Sequence, residues 1–293
     1  MIKHRASLFA LTLAALSLIG YASASEDVAQ SAAQKLLKNG DQTPLSNSTP
    51  NHNAETRALP LTPHYYRAVV QAKKPFDRSN FTQGLEFHDE RLLVSSGLYG
   101  QSKIRSYRWP ALTLEREQVL PNEWFAEGLT LVDKRLFVLT WRARRLVILD
   151  YPELTPLGTT TFPTEGWGLT HAHDRLYWSD GSDKIYSINA HEGGKIDHIS
   201  VTLEGRPLQR LNELEWIDGE LWANVWQTDT IVRINPVSGT VVGVIDLTGL
   251  LAQSERYPNT DVLNGIAYDS VNKAVWVTGK RWPWLYKIGL EKQ

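Results

Sequence analysis

The chain has 293 residues and contains no cysteine. Without cysteine it can form no disulfide, carry no lipid anchor on a thiol and use no thiol nucleophile, so packing alone must stabilise the fold. The formal net charge is only −1, which leaves no basic excess to neutralise phosphates. The lack of a basic excess argues against nucleic acid as a partner.

Several motifs of familiar chemistry are also missing. We find no Gly-Xaa-Ser-Xaa-Gly nucleophile elbow, no His-Glu-Xaa-Xaa-His zinc motif and no glycine-rich phosphate loop. The pair His171 and His173 falls at a predicted hairpin tip, where exposure to solvent is expected rather than metal binding. The sequence therefore predicts no cofactor, no catalytic metal and no covalent nucleophile.

Long hydrophobic runs are scarce, and the clearest one lies at the start of the chain. Leu8 to Ile19 is apolar but too short for a comfortable membrane span. It follows the basic Lys3-His4-Arg5 and precedes Ala22-Ser23-Ala24, which is typical of a signal peptide cleaved after residue 24. Cleavage would change the formal net charge from −1 to −3, because residues 1–24 contain Lys3 and Arg5 but no acidic residue. We expect an exported protein, periplasmic or secreted, with no membrane span in the mature chain.

The polar segment 25–60 has few aromatic or β-branched residues, and we interpret it as a flexible linker. From residue 61 to 293 the pattern changes to short β-rich runs separated by turn residues. The sequence thus divides into a signal peptide at 1–24, a linker at 25–60 and a β domain at 61–293.

The β domain contains a repeat. Five segments align, each with a strand that opens on Gly-Leu or a near equivalent, a polar turn and a second strand. They are QGLEFHDERLLVSSG from residue 83, EGLTLVDKRLFVLTW from 127, WGLTHAHDRLYWSDG from 167, NELEWIDGELWANVW from 212 and NGIAYDSVNKAVWVTGK from 264. The predicted turns are His88-Asp89, Asp133-Lys134, His173-Asp174, Asp218-Gly219 and Asp269-Ser270.

A β-rich unit of about 40–50 residues repeated in this way is typical of a propeller. A third strand follows each hairpin, and the segments between repeats can supply a fourth strand. The last repeat lacks its fourth strand, which the early run at 64–75 can provide. We therefore predict an all-β, five-bladed propeller of four-stranded antiparallel blades, closed by an N-terminal strand. A β-sandwich is the alternative, but it gives no reason for five repeats with the same turn chemistry.

In a propeller, residues at equivalent register form a ring around the central channel. The residues just before the Gly-Leu pair are Gln83, Glu127, Trp167, Asn212 and Asn264. The residues at the far end of the second strand are Gly97, Trp141, Gly181, Trp226 and Lys280. An antiparallel hairpin brings these two sets to the same end of the molecule, where Gly97 and Gly181 would leave space between the indoles. The register predicts a pocket there.

Each of these residues also has a plainer interpretation. A single glutamate at a strand end is usually solvated, and a tryptophan within a strand usually packs in a core. We interpret Trp178, Trp216, Trp222 and Trp276 as packing residues. Phe81 and Phe125 are either pocket wall or packing, and Asn264 could anchor a turn. The shared register nevertheless favours a site, with Glu127 as its acid/base group.

Ten short motifs, in the same order along the chain, resemble the bacterial and plant type of glutaminyl-peptide cyclotransferase. They are FTQGL (81–85), SSGLYGQSKIR (95–105), EGLTL (127–131), LTW (139–141), GWGL (166–169), SDG (179–181), LNELE (211–215), ANVWQTD (223–229), VLNGIAYD (262–269) and VTGKRWP (277–283). The resemblance implies a five-bladed propeller that converts N-terminal glutamine of peptides or proteins to pyroglutamate and releases ammonia without a catalytic metal. It also implies that Glu127 is the catalytic acid/base residue. The implied substrate-binding residues are Gln83, Trp141, Trp167, Asn212, Trp226 and Lys280. We add Phe81, Phe125 and Asn264 as further candidates for substrate binding.

Two other functions remain open at this point. The same pocket could belong to a non-catalytic periplasmic propeller that binds peptide N-termini or protein partners, with Glu127 as a counter-ion. A calcium-dependent lactonase or esterase is less favoured, because the ring carries one carboxylate where calcium would need several oxygen ligands. We expect a monomer that has little sequence preference beyond the first residue of its substrate.

Overall fold

The computed structural model describes residues 62–293. This part of the chain forms strands throughout, with one short 3-10 helix at Gln253–Glu255. The predicted signal peptide (1–24) and linker (25–60) lie outside the described residues. No helix within 62–293 has both the length and the apolar character needed to cross a membrane.

The first strand, β1, is His64–Pro75. Three four-stranded antiparallel sheets follow it, each built from consecutive strands. The first has β2 (Thr82–His88), β3 (Arg91–Ser96), β4 (Lys103–Arg108) and β5 (Thr113–Val119). The second has β6 (Ala126–Val132), β7 (Arg135–Thr140), β8 (Arg145–Asp150) and β9 (Pro156–Thr161). The third has β10 (Leu169–Ala172), β11 (Arg175–Ser179), β12 (Lys184–Asn189) and β13 (Gly193–Ser200).

The remaining strands form a small hairpin and one large sheet. The hairpin is β14 (Thr202–Leu203) and β15 (Arg206–Pro207). The large sheet adds β16 (Leu211–Ile217), β17 (Glu220–Val225), β18 (Thr230–Ile234), β19 (Val241–Asp246), β20 (Leu263–Asp269), β21 (Ala274–Gly279) and β22 (Trp284–Lys292). Its order is β16-β17-β18-β19-β1-β22-β21-β20, so β1 joins two runs of consecutive strands. β1 pairs antiparallel with β22 and parallel with β19.

The all-β prediction and the four-stranded antiparallel sheets are confirmed. The run predicted at 64–75 is a strand with those bounds, and it pairs with the last strand of the chain. The first strands β2, β6, β10, β16 and β20 contact one another in a closed cycle. The sheets are therefore arranged around a common axis, which is a propeller-like architecture.

The repeated glycine after the ring position is explained by how closely these first strands approach. A Cβ atom on Gly128 would lie 2.3 Å from the backbone nitrogen of Leu169. A Cβ atom on Gly168 would lie 2.0 Å from the carbonyl oxygen of Asn212. Because no side chain fits between the neighbouring first strands at these two points, Gly128 and Gly168 must be glycine, whereas the fourth repeat carries Glu213 at the equivalent position.

The hydrophobic core lies between adjacent sheets. One buried cluster, for example, joins Phe137 and Phe162 of the second sheet region to Trp178 of the third, and the Phe162 and Trp178 rings are 4.6 Å apart. Trp222 and Trp276 are also buried, as predicted for packing residues. Trp216 stacks on Tyr177, with ring centroids 5.5 Å apart.

Two predicted turns differ from the structure. The first turn is Asp89-Glu90, one residue later than predicted, because His88 still pairs with Arg91 in the ladder. The fifth is a four-residue connection, 270–273, that follows Asp269. The other three turns lie where the polar pairs predicted them.

Buried carboxyl groups link the first strands away from the ring positions. Glu213 accepts hydrogen bonds from the backbone nitrogens of Leu85 at 3.2 Å and Ile266 at 2.9 Å. Glu86 accepts one from Leu131 at 3.1 Å. Burial raises the pKa of Glu86 to about 7, and it raises the pKa values of Glu213 and Glu215 well above the usual range.

Candidate active site

A cavity of about 300 Å³ opens at one end of the axis. It is lined by aromatic, amide and charged side chains from all the hairpins that surround the axis. They are Phe81, Gln83, Phe125, Glu127, Trp141, Trp167, Asn212, Trp226, Gln227, Asp261, Val262 and Lys280. The structure thus brings together all the predicted site residues except Asn264, which lies directly behind the wall.

Backbone hydrogen bonds explain why the two ends of each hairpin meet here. The nitrogen of Trp141 donates to the carbonyl of Phe125 at 3.0 Å, and that of Lys280 donates to Val262 at 2.9 Å. The nitrogen of Trp226 donates to Arg210 at 2.8 Å. These bonds hold the end of each second strand beside the start of the first strand, as the antiparallel geometry predicts.

The polar ring residues lie in β-bulges. The ladder register shifts between Thr82 and Gly84, around Gln83, and between Ala126 and Leu129, around Glu127. The same shift occurs around Asn212 and Asn264. A bulge inserts an extra residue and redirects its side chain. Three of these bulged residues, Gln83, Glu127 and Asn212, turn their side chains toward the cavity.

Left-handed backbone conformations follow three of the residues at the ends of the second strands. Leu98 (φ 97°), Gln227 (φ 65°) and Arg281 (φ 60°) occupy the same position in their hairpins, one residue after the ring residue. Such conformations are unfavourable for residues other than glycine and are concentrated at functional sites. Of these three, Gln227 lines the cavity, so part of its wall has a left-handed backbone conformation.

Glu127 is the buried carboxylate of the cavity, with only 5% of its surface exposed. Its Oε1 atom accepts a hydrogen bond from Gln83 Nε2 at 3.3 Å. Burial raises the pKa of Glu127 well above the usual range, while the charge of Lys280 lowers it and that of Glu165 raises it further. Because desolvation dominates, Glu127 holds its proton more strongly than an exposed glutamate does.

Lys280 lies close enough to Glu127 for the two charges to interact. It is also 5% exposed, and its Nζ atom is 5.0 Å from the centre of the Phe81 ring. Burial lowers the pKa of Lys280, whereas Glu127 and Asp261 raise it. An acid and a base are thus both pushed toward neutrality in the same cavity, a pattern typical of catalytic sites.

Asn264 supports the site without lining it. Its Nδ2 atom donates to Gln83 Oε1 and to the carbonyl of Thr82, both at 3.1 Å. These bonds orient the Gln83 amide so that its Nε2 faces Glu127. Asn264 therefore contacts the cavity residue Gln83 and does not itself line the cavity, and its predicted role in substrate binding stays a prediction.

Asn212 lines the cavity and carries a buried acceptor atom. Its Oδ1 atom is buried and has no hydrogen-bond partner within residues 62–293. An unpaired buried polar atom costs about 1–3 kcal/mol. A ligand N–H group that reached this atom would recover the cost.

The indoles are held by a residue that the repeat did not predict. Glu165 Oε2 accepts a hydrogen bond from Trp141 Nε1 at 2.8 Å and a longer one from Trp167 Nε1 at 3.4 Å. Trp167 also packs edge-on against Trp226, with centroids 5.4 Å apart. One carboxylate therefore fixes two walls of the cavity.

The two ring glycines do not leave empty space, which corrects the expectation drawn from the sequence. A Cβ atom on Gly97 would lie 2.2 Å from the Phe125 ring, and one on Gly181 would lie 2.7 Å from the Trp167 indole. The glycines instead allow these rings to approach the backbone closely. Phe125 and Phe81 are both cavity wall, with ring centroids 6.1 Å apart.

Asp261, Val262 and Gln227 were also missed by the repeat. Asp261 and Val262 precede the fifth repeat and pair with Lys280 through the backbone, outside the aligned register. Gln227 follows Trp226 directly, and only its left-handed conformation marks it. Asp261 gives the cavity a second carboxylate, although Glu127 remains the only acid at its register.

Within residues 62–293, no cluster of three or more His, Cys, Asp or Glu side chains is arranged to hold a metal ion. His171, expected to be exposed, is partly buried, and its Nδ1 atom lies 2.7 Å from Thr130 Oγ1. Burial lowers the pKa of His171. The hydroxyl of Thr130 was not apparent from the sequence because it lies on a neighbouring sheet.

The fold and the cavity define a propeller-like protein with one polar, aromatic-walled pocket at the end of its axis. The model of the glutamine cyclotransferase family matches residues 43–290, and the chain belongs to this family. It is 38% identical over 241 residues to the glutaminyl-peptide cyclotransferase of Arabidopsis thaliana, a match that covers 80% of this chain and 75% of the relative. The crystal structure of Myxococcus xanthus glutaminyl cyclase matches with a TM-score of 0.72 and 33% identity, over 79% of this chain and 99% of the other.

Proposed function

We propose that this protein is a glutaminyl-peptide cyclotransferase, which converts the N-terminal glutaminyl residue of a peptide or protein to pyroglutamate and releases ammonia. The observation that carries the proposal is one buried carboxylate, Glu127, among amide groups, a lysine and three indoles. Membership of the glutamine cyclotransferase family supports it. The family relatives named above carry the same activity in their names.

The reaction is intramolecular. The α-amine attacks the side-chain amide carbon, a five-membered lactam forms, and the amide nitrogen leaves as ammonia. Holding the side chain folded back on the amine supplies much of the rate acceleration through proximity. A small cavity with rigid aromatic walls suits this task.

Glu127 would move the protons. Its carboxylate takes a proton from the attacking nitrogen and delivers it to the departing nitrogen, so that atoms and charge balance over the reaction. A group that acts in both directions works best when its pKa is near the working pH. Burial raises the pKa of Glu127 in that direction.

Three polar side chains are candidates to hold the substrate amide. Lys280 would stabilise negative charge on the carbonyl oxygen of the tetrahedral intermediate. Asn212 Oδ1 would accept an N–H group of the substrate, since it has no partner within the described chain. Gln83, fixed by Asn264, would contact the substrate amide beside Glu127.

The three indoles Trp141, Trp167 and Trp226 would enclose the aliphatic part of the glutamine side chain. Excluding water from the side-chain amide carbon of the substrate favours cyclisation over hydrolysis. Phe81 and Phe125 extend the same apolar wall.

We also propose that the fold is a five-bladed propeller. The count treats β16–β19 as one blade and β20–β22 with β1 as another, although the ladder between β1 and β19 merges them into one sheet. The closed cycle of contacts among β2, β6, β10, β16 and β20 supports this count. The pairing of β1 with β22 would close the ring.

Export is proposed from the sequence alone. Residues 1–24 have the features of a cleaved signal peptide, which would direct the enzyme to the periplasm or beyond the cell. We propose that the mature enzyme acts as a monomer on peptide and protein N-termini. Intact-mass measurement of the exported protein should give a chain that begins at Ser25.

The direct test is an ammonia-release assay on a short peptide with N-terminal glutamine. The purified protein should release ammonia and form the pyroglutamyl peptide, and an excess of chelator should not change the rate. Tight peptide binding without ammonia release would favour the non-catalytic peptide-binding function instead. Activity that disappears with chelator would contradict the metal-independent mechanism.

A further inference from the structure

A second cavity of about 460 Å³ lies beside the first. Its lining includes Arg78, Gly97, Lys103, Asn259 and Arg281. None of these residues lines the first cavity, and none has a part in the proposed chemistry. Three of the five are cationic.

The wall between the two cavities is thin. Gly97 lines the second cavity and lies against the ring of Phe125, which lines the first. Arg281 directly follows Lys280 in the chain, and its guanidinium is 5.9 Å from the centre of the Phe81 ring. The rings of Phe81 and Phe125 therefore separate the two spaces.

The two arginines of the second cavity have no carboxylate partner within residues 62–293. Two acidic side chains of this region, Asp77 and Glu117, pair instead with Arg105 at 3.0 and 2.7 Å. Lys103 also lies 3.5 Å from Glu117. The cavity consequently keeps a positive charge that its own residues do not neutralise.

Arg78 is held in place by two contacts within the chain. Its guanidinium stacks on Tyr257 at 3.3 Å from the ring centre, and its Nη2 atom donates to Asn259 at 3.1 Å. Its Nε atom is buried and has no partner within the described residues. A guanidinium held in this way, with no carboxylate partner within the described residues, is suited to bind the carboxylate of a ligand through its outer N–H groups.

We propose that the second cavity binds the substrate residues that directly follow the N-terminal glutamine, and that it favours an acidic side chain there. This inference rests on the proposed function, because it requires glutamine in the first cavity. The peptide chain must continue out of the first cavity, and the rim at Phe81 leads to Arg281 and Arg78. This preference differs from the expectation of little sequence preference beyond the first residue of the substrate. That expectation assumed that the rest of the peptide leaves through an open channel mouth without further contacts.

The test compares three peptides, Gln-Glu-Ala-amide, Gln-Gln-Ala-amide and Gln-Lys-Ala-amide, which differ only in the charge of the second residue. With the full protein at low ionic strength, kcat/KM should be about fivefold higher for the glutamate peptide than for the lysine peptide, since exposed charge pairs contribute modestly. The ratio should fall toward one when salt is raised to about 0.5 M, because salt screens exposed charges.

Arg281→Gln and Arg78→Gln should each reduce this ratio at low salt. Glutamine suits position 281, because Gln227 adopts the same left-handed conformation at the equivalent position. Arg206→Gln is the matched control: it removes the same charge from an exposed position on β15, which lines neither cavity. This variant should keep the wild-type ratio.

Equal kcat/KM values for the three peptides in the wild-type protein would overturn the proposal. So would a ratio that Arg78→Gln and Arg281→Gln both leave unchanged. In either case turnover of the uncharged Gln-Gln peptide would leave the cyclotransferase function standing. Failure to turn over any of the three peptides would overturn both.

Discussion

The charged groups of the cavity influence one another in a buried, poorly solvated space. Burial raises the pKa of Glu127 and lowers that of Lys280, and each charge partly opposes the effect of burial on the other. The negative charge of Glu165 raises the pKa of Glu127 further, and the same carboxylate accepts hydrogen bonds from Trp141 and Trp167. A single residue outside the repeat thus influences both the electrostatics and the shape of the site.

Two variants separate these roles of Glu165. Glu165→Gln keeps an oxygen acceptor for the indoles but removes the charge, so the pKa of Glu127 should fall and the acidic limb of the kcat/KM profile should move to lower pH. Glu165→Ala also removes the acceptor, so KM should rise by about tenfold as the indoles lose their anchor. The measurement is a pH–rate profile of both variants with one Gln-peptide.

An acidic limb that stays at the wild-type pH in Glu165→Gln would show that Glu165 does not influence Glu127. A KM that stays unchanged in Glu165→Ala would show that the indoles are held by packing alone. Thermal unfolding of both variants controls for a general loss of structure.

At the scale of single elements, the site depends on bulges in the first strands and on the strand that joins the chain ends. β1 pairs with β22 over most of its length and also with β19. Its residues Tyr66 and Ala68 pack on the cluster between the two halves of the large sheet. β1 therefore stabilises the region that carries Lys280.

Removal of β1 should destabilise the whole domain. A chain that starts at residue 76 should unfold at a temperature roughly 10 °C or more below that of a chain that starts at residue 62, because the edges of β19 and β22 become unpaired. Circular dichroism during heating checks this prediction. Equal unfolding temperatures would contradict the stabilising role of β1.

The repeat in the sequence allowed much of this arrangement to be predicted. The spacing of Gly-Leu pairs and polar turns predicted the hairpins, and the register predicted that Gln83, Glu127, Asn212 and Lys280 share one cavity. The bulges were not predictable, since they have no residue signature beyond the glycine. Glu165 and Asp261 were missed because they lie in connections, where no repeat constrains their position.

At the scale of the whole molecule, buried carboxyl groups make stability depend on pH. In the folded protein, burial raises the pKa of Glu86 from its ordinary value of 4.5 to about 7. The stabilising contribution of the protonated group is therefore fully present below about pH 4.5 and is lost as pH rises through about 7. Glu213 and Glu215 contribute in the same direction.

Glu86→Gln should remove the part of this dependence that belongs to Glu86. Between pH 5 and 8 the free energy of unfolding should fall less in the variant than in the wild type, by a difference of the order of 2 kcal/mol. Urea denaturation at both pH values measures it, with Glu192→Gln at an exposed position as the control. Parallel pH dependences in the wild type and Glu86→Gln would contradict the assignment.

The central claim is that Glu127 transfers the protons of cyclisation. The measurement that tests it most directly is the kcat of Glu127→Gln for ammonia release from a Gln-peptide, with Glu86→Gln as a buried carboxyl control outside the cavity. Glu127→Gln should lose at least about 100-fold in kcat, because general acid–base catalysis contributes that much or more, while its unfolding curve stays cooperative. Glu86→Gln should keep turnover close to the wild type. A Glu127→Gln variant that turns over at the wild-type rate would contradict the account.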